Sequence, residues 1–226
     1  MSPENTTEKL YNVGLSYKKA DVKVRGSFSI AKENQKLLLK DAKSQGIDGI
    51  FVLSTCNRTE ITGFAKHPFQ LISLLVKYSQ GTLEDFIPVS NVYKNKDAVE
   101  HLFNIGTGLE SQILGDYEIV NQLKQSFKMA KKQGTINAYL ERMMNLVLHA
   151  SKEVKNHTEL SSGTTSVSYA AVQYLIETVE NYDNKKILIY GLGEIGKNTC
   201  KNVLEYTSNK QVTLINRTME KALEFK

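Results

Sequence analysis

The chain has 226 residues, 41% hydrophobic and 23% charged, which are ordinary globular proportions and enough length to bury one large core or two smaller ones. No apolar run approaches the ~20 residues that cross a bilayer, and the polar start, Met1 to Lys9, lacks the apolar core of a secretory signal, so a cytosolic protein is expected. The net charge of +5 and pI of about 9.0 suit either a plain basic surface or attraction to a polyanion such as RNA. Cys56 and Cys200 are the only cysteines, too few for a disulfide framework, and no cluster has metal-ligand spacing.

Residues 10–15 read as a strand. The long side chains of 31–45 predict a helix, with Ser29 as its cap and Gly46 as its stop. Ile50-Phe51-Val52-Leu53, within 48–54, suits a buried strand, and 59–64 a second one after a tight polar turn. Pro68 opens a helix over 69–80 that Gly81 ends, and 89–93 makes a fourth strand. The order β-α-β-β-α-β is that of a ferredoxin-like domain.

Helices then dominate. Asn95 is placed to cap one over 97–105. Over 110–133, Ile113, Tyr117, Val120, Leu123, Phe127 and Ala130 recur at spacings of three and four and draw one apolar stripe, which Gly134 ends. The pattern repeats over 138–157, breaks at Ser161-Ser162-Gly163 and resumes over 167–179. A strand over 186–190, a glycine turn, a helix over 197–205 and a strand over 211–215 form a β-α-β unit, with the chain ending inside the next helix. A doubly wound domain usually has about six strands. The expected class is therefore α/β: an α+β domain over 1–160, then a linker helix and the first part of a Rossmann-like domain over 161–226.

The glycine turn is Gly191-Leu192-Gly193-Glu194-Ile195-Gly196. Gly191 permits the tight turn, Gly193 lets a pyrophosphate approach the backbone, and Gly196 lets helix and strand pack closely, with the helix N-terminus favouring the anion. Where an acidic residue would hold a ribose 2′-hydroxyl stands Asn216-Arg217-Thr218. Arg217 can pair with a 2′-phosphate, flanked by two hydrogen-bond donors, which points to NADP over NAD.

A polar run, Ser54-Thr55-Cys56-Asn57-Arg58-Thr59-Glu60, follows the buried strand over 48–54. A thiol reacts as its thiolate, and Arg58 is near enough in sequence either to favour that form or to bind a substrate carboxylate. From these residues alone an inert core cysteine is the stronger reading. His101 can polarise a carbonyl or move a proton, or be an ordinary helix histidine. Cys200 is expected in a core; His67, His149 and His157 have no suggestive company.

The segment Val52 to Glu60 resembles the nucleophile motif of the glutamyl-tRNA reductase family. Val13-Gly14-Leu15-Ser16-Tyr17-Lys18 is similar to that family's opening strand and loop. His101 with Gly108-Leu109-Glu110-Ser111-Gln112-Ile113-Leu114-Gly115 resembles its second signature, and Ser166 to Ala171 and Asn216 to Thr218 match in order. The resemblance implies that Cys56 attacks the ester of glutamyl-tRNA, releases tRNA and leaves an enzyme thioester. NADPH then supplies hydride to give glutamate-1-semialdehyde for tetrapyrrole synthesis. It implies that Thr55, Asn57, Arg58, Ser111 and Gln122 surround the glutamyl group and that His101 assists at the carbonyl. It also implies a homodimer through a C-terminal domain that this chain does not contain, and glutamate-semialdehyde aminomutase as a partner.

The chain departs from the family at Gly115-Asp116-Tyr117-Glu118-Ile119-Val120-Asn121-Gln122, where the family commonly has Gly-Glu-Pro-Gln-Ile-Leu-Gly-Gln. The acid is shortened, a proline is lost and an amide becomes Glu118; substrate contacts are expected from Asp116, Tyr117 and Glu118. Two other readings are a non-catalytic fragment that binds tRNA or a protein, and a shikimate-type NADP dehydrogenase. The second has no use for a thiol nucleophile.

Overall fold

A computed structural model describes residues 7–112, 114–116, 118–158, 160 and 167–225. The chain divides into two compact units, Met1–Thr158 and Glu159–Lys226.

The first unit runs β1 (Lys9–Ser16), α1 (Val22–Ser27), α2 (Lys32–Ser44), β2 (Ile50–Ser54), β3 (Arg58–Ala65), α3 (Pro68–Tyr78), α4 (Leu83–Phe86), β4 (Asn91–Lys94), α5 (Lys96–Gly106), α6 (Glu118–Gln133) and α7 (Ala138–His157). The sheet order is β2-β3-β1-β4, with every neighbouring pair antiparallel. This is the predicted β-α-β-β-α-β succession with α1 and α4 inserted. Both are too short to show a helical period in the sequence.

Strand register explains why β1 and β3 are buried along nearly their whole length. Successive side chains face opposite ways, so Val13, Leu15 and Ile61 share one face while Asn12, Ser16, Arg58, Glu60 and Thr62 share the other. The first is ordinary core. On the second, Asn12 lies opposite Thr62 and Gly14 opposite Glu60. Gly14 is required there: a Cβ would sit 2.3 Å from the Thr59 carbonyl and 2.7 Å from Glu60 Cγ. The continuous core reaches from Leu10 in β1 to Val147 in α7.

In the first unit the helix ends differ from the sequence reading in several places. The N-cap of α2 is Ala31, without a side-chain bond, so Ser29 lies outside the cap. Asn95 occupies the N-cap of α5 at φ 49° but makes no capping bond. The helix predicted from residue 110 begins at Glu118; the described residues before it are mostly in turns and bends. Gly108 and Gly115, at φ 79° and 80°, bend the backbone away from helix there, and apolar spacing cannot report that. Of the stripe, Ile113 and Tyr117 lie outside the described residues, as does Ser161-Ser162-Gly163. Finally, α3 ends at Tyr78, ahead of Gly81, whose missing Cβ instead makes room for the Phe28 ring. His67 caps α3, accepting from the Phe69 N–H, with Gln70 reaching back.

The second unit runs α8 (Val167–Thr178), β5 (Ile187–Tyr190), α9 (Glu194–Tyr206), β6 (Val212–Ile215) and α10 (Met219–Glu224). β5 and β6 pair in parallel, and Ile189, Leu192 and Cys200 form a small core between sheet and helix. α9 starts at Glu194 rather than at Lys197, because Gly193 serves as its N-cap. Among the described residues no helix is long and apolar enough to cross a membrane.

Candidate functional site

The β2–β3 turn is a two-residue tip, Cys56-Asn57, and its backbone is held on every side. The Thr55 N–H donates to the Arg58 carbonyl at 2.8 Å. Thr55 Oγ1 accepts from the N–H groups of Asn57 and Arg58, both at 3.2 Å. Arg25 Nε donates to the Cys56 carbonyl at 3.1 Å, and the Tyr17 N–H to the Asn57 carbonyl at 2.8 Å. Ser54 Oγ links to Thr59 Oγ1 at 2.9 Å and accepts from the Ile30 N–H. The Cys56 side chain is exposed at this tip.

Behind the tip lies a buried charged network. Arg58 is 2% exposed and donates through Nη1 to Glu60 Oε1 at 3.0 Å and through Nη2 to the Glu110 carbonyl. Glu60 Oε2 accepts from Asn12 Nδ2 at 3.0 Å and lies 3.0 Å from His101 Nε2. Asn12 Nδ2 also donates to Thr62 Oγ1. Burial alone pushes the Glu60 carboxyl up, but the hydrogen bond and charge of His101, then Arg58 and Asn12, bring it down to about 2. Glu60 is therefore ionised, and His101 Nε2 carries the proton between them. The His101 ring is buried and stacked on Tyr93, with centroids 4.2 Å apart. Burial first, then the carboxylates of Glu110 and Glu60, pushes the Tyr93 hydroxyl up.

Opposite β3, the segment after α5 closes on itself. The Gly115 N–H donates to the Gly108 carbonyl at 3.1 Å, and a Cβ on Gly108 would lie 3.0 Å from Gly115 Cα. Tyr17 Oη donates to the Ser111 carbonyl at 3.0 Å, and Lys18 pairs with Glu110 at 2.5 Å. These contacts bring Ser111 and Glu110 to the Arg58 end of β3. Asp116 Oδ1 accepts from the Glu118 N–H at 3.0 Å, so the shortened acid helps begin α6. Gln122 is half-buried one turn further on, and Tyr117 lies outside the described residues.

In the second unit the C-terminal ends of β5 and β6 lie side by side. The Gly191 N–H donates to the Ile215 carbonyl at 2.7 Å, and the Leu192 N–H to Asn216 Oδ1 at 3.1 Å. Asn216 Nδ2 donates to the Thr218 carbonyl. Gly191 has φ 98°, and a Cβ on Gly196 would meet the Gly191 carbonyl at 1.9 Å. A Cβ on Gly193 would meet nothing within 4 Å. That open face, at the start of a 13-residue helix, fits the close approach of a pyrophosphate. Glu194 and Ile195 form the first turn of α9, and Ile195's carbonyl accepts from Ser168 Oγ. Arg217 is exposed beside them.

The sequence reading missed Glu60, Asn12, Tyr93, Tyr17 and Arg25 as parts of the site. Arg58 and Glu60, two residues apart on one strand, were the available signal, since that spacing puts opposite charges on one face.

The chain is similar to several known proteins. The family described as "Glutamyl-tRNAGlu reductase, N-terminal domain" matches residues 13–158. The glutamyl-tRNA reductase of Christiangramia forsetii is 57% identical over 212 residues, 94% of this chain and 51% of that protein. That of Flavobacterium psychrophilum is 52% identical over 220 residues, 97% of this chain and 53% of that protein. The solved glutamyl-tRNA reductase from Methanopyrus kandleri superposes with a TM-score of 0.64 at 27% identity, covering 96% of this chain and 51% of that one. The chain thus spans about half the length of the curated relatives it matches.

Proposed function

This chain belongs to the glutamyl-tRNA reductase family, and from that premise we propose that its first unit captures the glutamyl group of glutamyl-tRNA on Cys56, for reduction to glutamate-1-semialdehyde in tetrapyrrole synthesis. The observation that carries this is the tip itself: an exposed thiol on a backbone fixed by Thr55, Arg25 and Tyr17. A nucleophile on an immobile turn does not have to be positioned at the moment of reaction. The shikimate-type alternative falls with the family assignment.

In the capture step the Cys56 thiolate adds to the ester carbonyl, the C–S bond forms, the C–O bond breaks, and the tRNA 3′-hydroxyl leaves with a proton. Thr55, Asn57, Ser111 and Gln122 are proposed to line the glutamyl group, with Asp116, Tyr117 and Glu118 at its edge. Arg58 is proposed to act with its charge partly balanced by Glu60. His101, whose Nε2 is engaged by Glu60, is proposed to assist at the carbonyl. Gly191, Leu192, Gly193, Glu194, Ile195 and Gly196 would cradle the NADPH pyrophosphate, and Asn216, Arg217 and Thr218 its 2′-phosphate. Bound there, NADPH would supply the hydride that converts the thioester to an aldehyde and frees the thiol. The homodimer and the aminomutase partner implied by the family are part of the same proposal.

The test is to incubate the chain with glutamyl-tRNA carrying labelled glutamate, quench with acid, and look for label on protein while following semialdehyde with and without NADPH. Label is expected on the chain and none on Cys56→Ser. Equal labelling of both would remove Cys56 from the reaction.

A further inference from the structure

The chain's positive charge is concentrated in one place. Across residues 118–158, spanning α6 and α7, seven Lys or Arg stand against three Glu, so four of the five net positive charges belong to this helical hairpin. Elsewhere the charges nearly cancel.

Part of that charge surrounds a concavity. α6 and α7 enclose a cleft of about 370 Å³ lined by Val120, Asn121, Lys124, Leu148, Ser151, Lys152 and Lys155. Its apolar floor is Val120 and Leu148, and the three lysines, all exposed, stand at its rim. Among the described residues no carboxylate lines it. The neighbouring Glu153 is turned to His157, 3.4 Å away, and Glu141 pairs with Lys131. Among the described residues, neither Lys124 nor Lys152 is paired with an acid.

We infer that this cleft is a phosphate-backbone contact for RNA, separate from the Cys56 tip; the inference rests on the capture reading only for the identity of the RNA as a tRNA. Several ammonium groups on one concave face, with amide and hydroxyl groups between them, is the footprint of a strand read by charge rather than by base. Each lysine that meets a phosphate releases condensed counterions, so binding here must weaken as salt rises.

The test compares K124Q/K152Q/K155Q with K32Q/K36Q/K40Q, an equal loss of charge on α2. Glutamine keeps much of the side-chain stem against the apolar floor. Binding of deacylated glutamate tRNA is measured across a salt series, and capture of label is measured from glutamyl-adenosine, which carries the ester but no phosphate. The cleft variant is expected to bind tRNA at least roughly tenfold more weakly, with a slope of log K against log salt shallower by about 2, while the α2 variant changes little. Unchanged tRNA binding, or equal losses in both variants, would overturn the inference. Normal capture from glutamyl-adenosine shows that the cleft variant is folded. If the parent chain takes no label from glutamyl-adenosine, the capture reading fails, and the tRNA salt series still decides the cleft.

Discussion

In the first unit a carboxylate, a guanidinium and an imidazole lie inside a core that reaches from Leu10 to Val147. In the second, the core is Ile189, Leu192 and Cys200, and one face of its sheet stands open, with Leu188 59%, Tyr190 85% and Ile215 43% exposed. Much of the polar work there is done by backbone N–H groups and by two asparagines, Asn209 and Asn216. Burying charge costs several kcal/mol per ion unless partners are held in place. A thick, close-packed core holds them so, and among the described residues only there are charged side chains buried. A glycine turn needs nothing of the kind, because its geometry is local.

Breaking the first unit's network should have the largest effect. Glu60→Gln leaves Arg58 and His101 buried without their shared carboxylate and should cost about 3–5 kcal/mol, read as a lower denaturant midpoint. An unmoved midpoint would mean that the network is not a stability element. The same variant sharpens a pH effect. The folded Glu60 carboxyl, at about 2, lies below its ordinary 4.5, so its contribution is full above 4.5 and is lost as pH falls toward 2. That loss should reach about 3 kcal/mol and be absent from Glu60→Gln. Asp41, held near 2 by the Lys77 hydrogen bond, titrates in the same window in both proteins and drops out of the difference.

In the second unit Gly196→Ala places a methyl group against the Gly191 carbonyl. It should cost that unit about 1–3 kcal/mol and abolish NADPH binding, while capture on Cys56 continues. Loss of capture as well would show that the two units do not act independently. Smallest is Arg217→Ala, expected to weaken NADPH about tenfold and NADH less. Equal losses in a titration of both cofactors would remove Arg217 as the selector.

Much of this was legible in the residues. The apolar run Ile50 to Leu53 and punctuation by Pro68, Gly46 and Gly134 located strands and helices, and the motif around Cys56 stood out because its residues are contiguous. The onset of α6 was not legible, because the apolar spacing of residues 110–133 continues through a stretch that Gly108 and Gly115 bend into turns. Nor was the partnership of Glu60 with His101, 41 residues apart.

By itself, then, the sequence determined what depends on near neighbours: the strand succession, the glycine turn that suits a pyrophosphate, the arginine in place of an acid after β6, and a single cysteine in a polar turn. Tertiary structure decided what depends on register and distance. It put Arg58 and Glu60 on the same face as Asn12, brought His101 against them from α5, and gathered three lysines of α6 and α7 around one cleft. Side-chain period is a local property that a sequence displays, whereas which faces meet follows from strand pairing and helix packing across the whole chain.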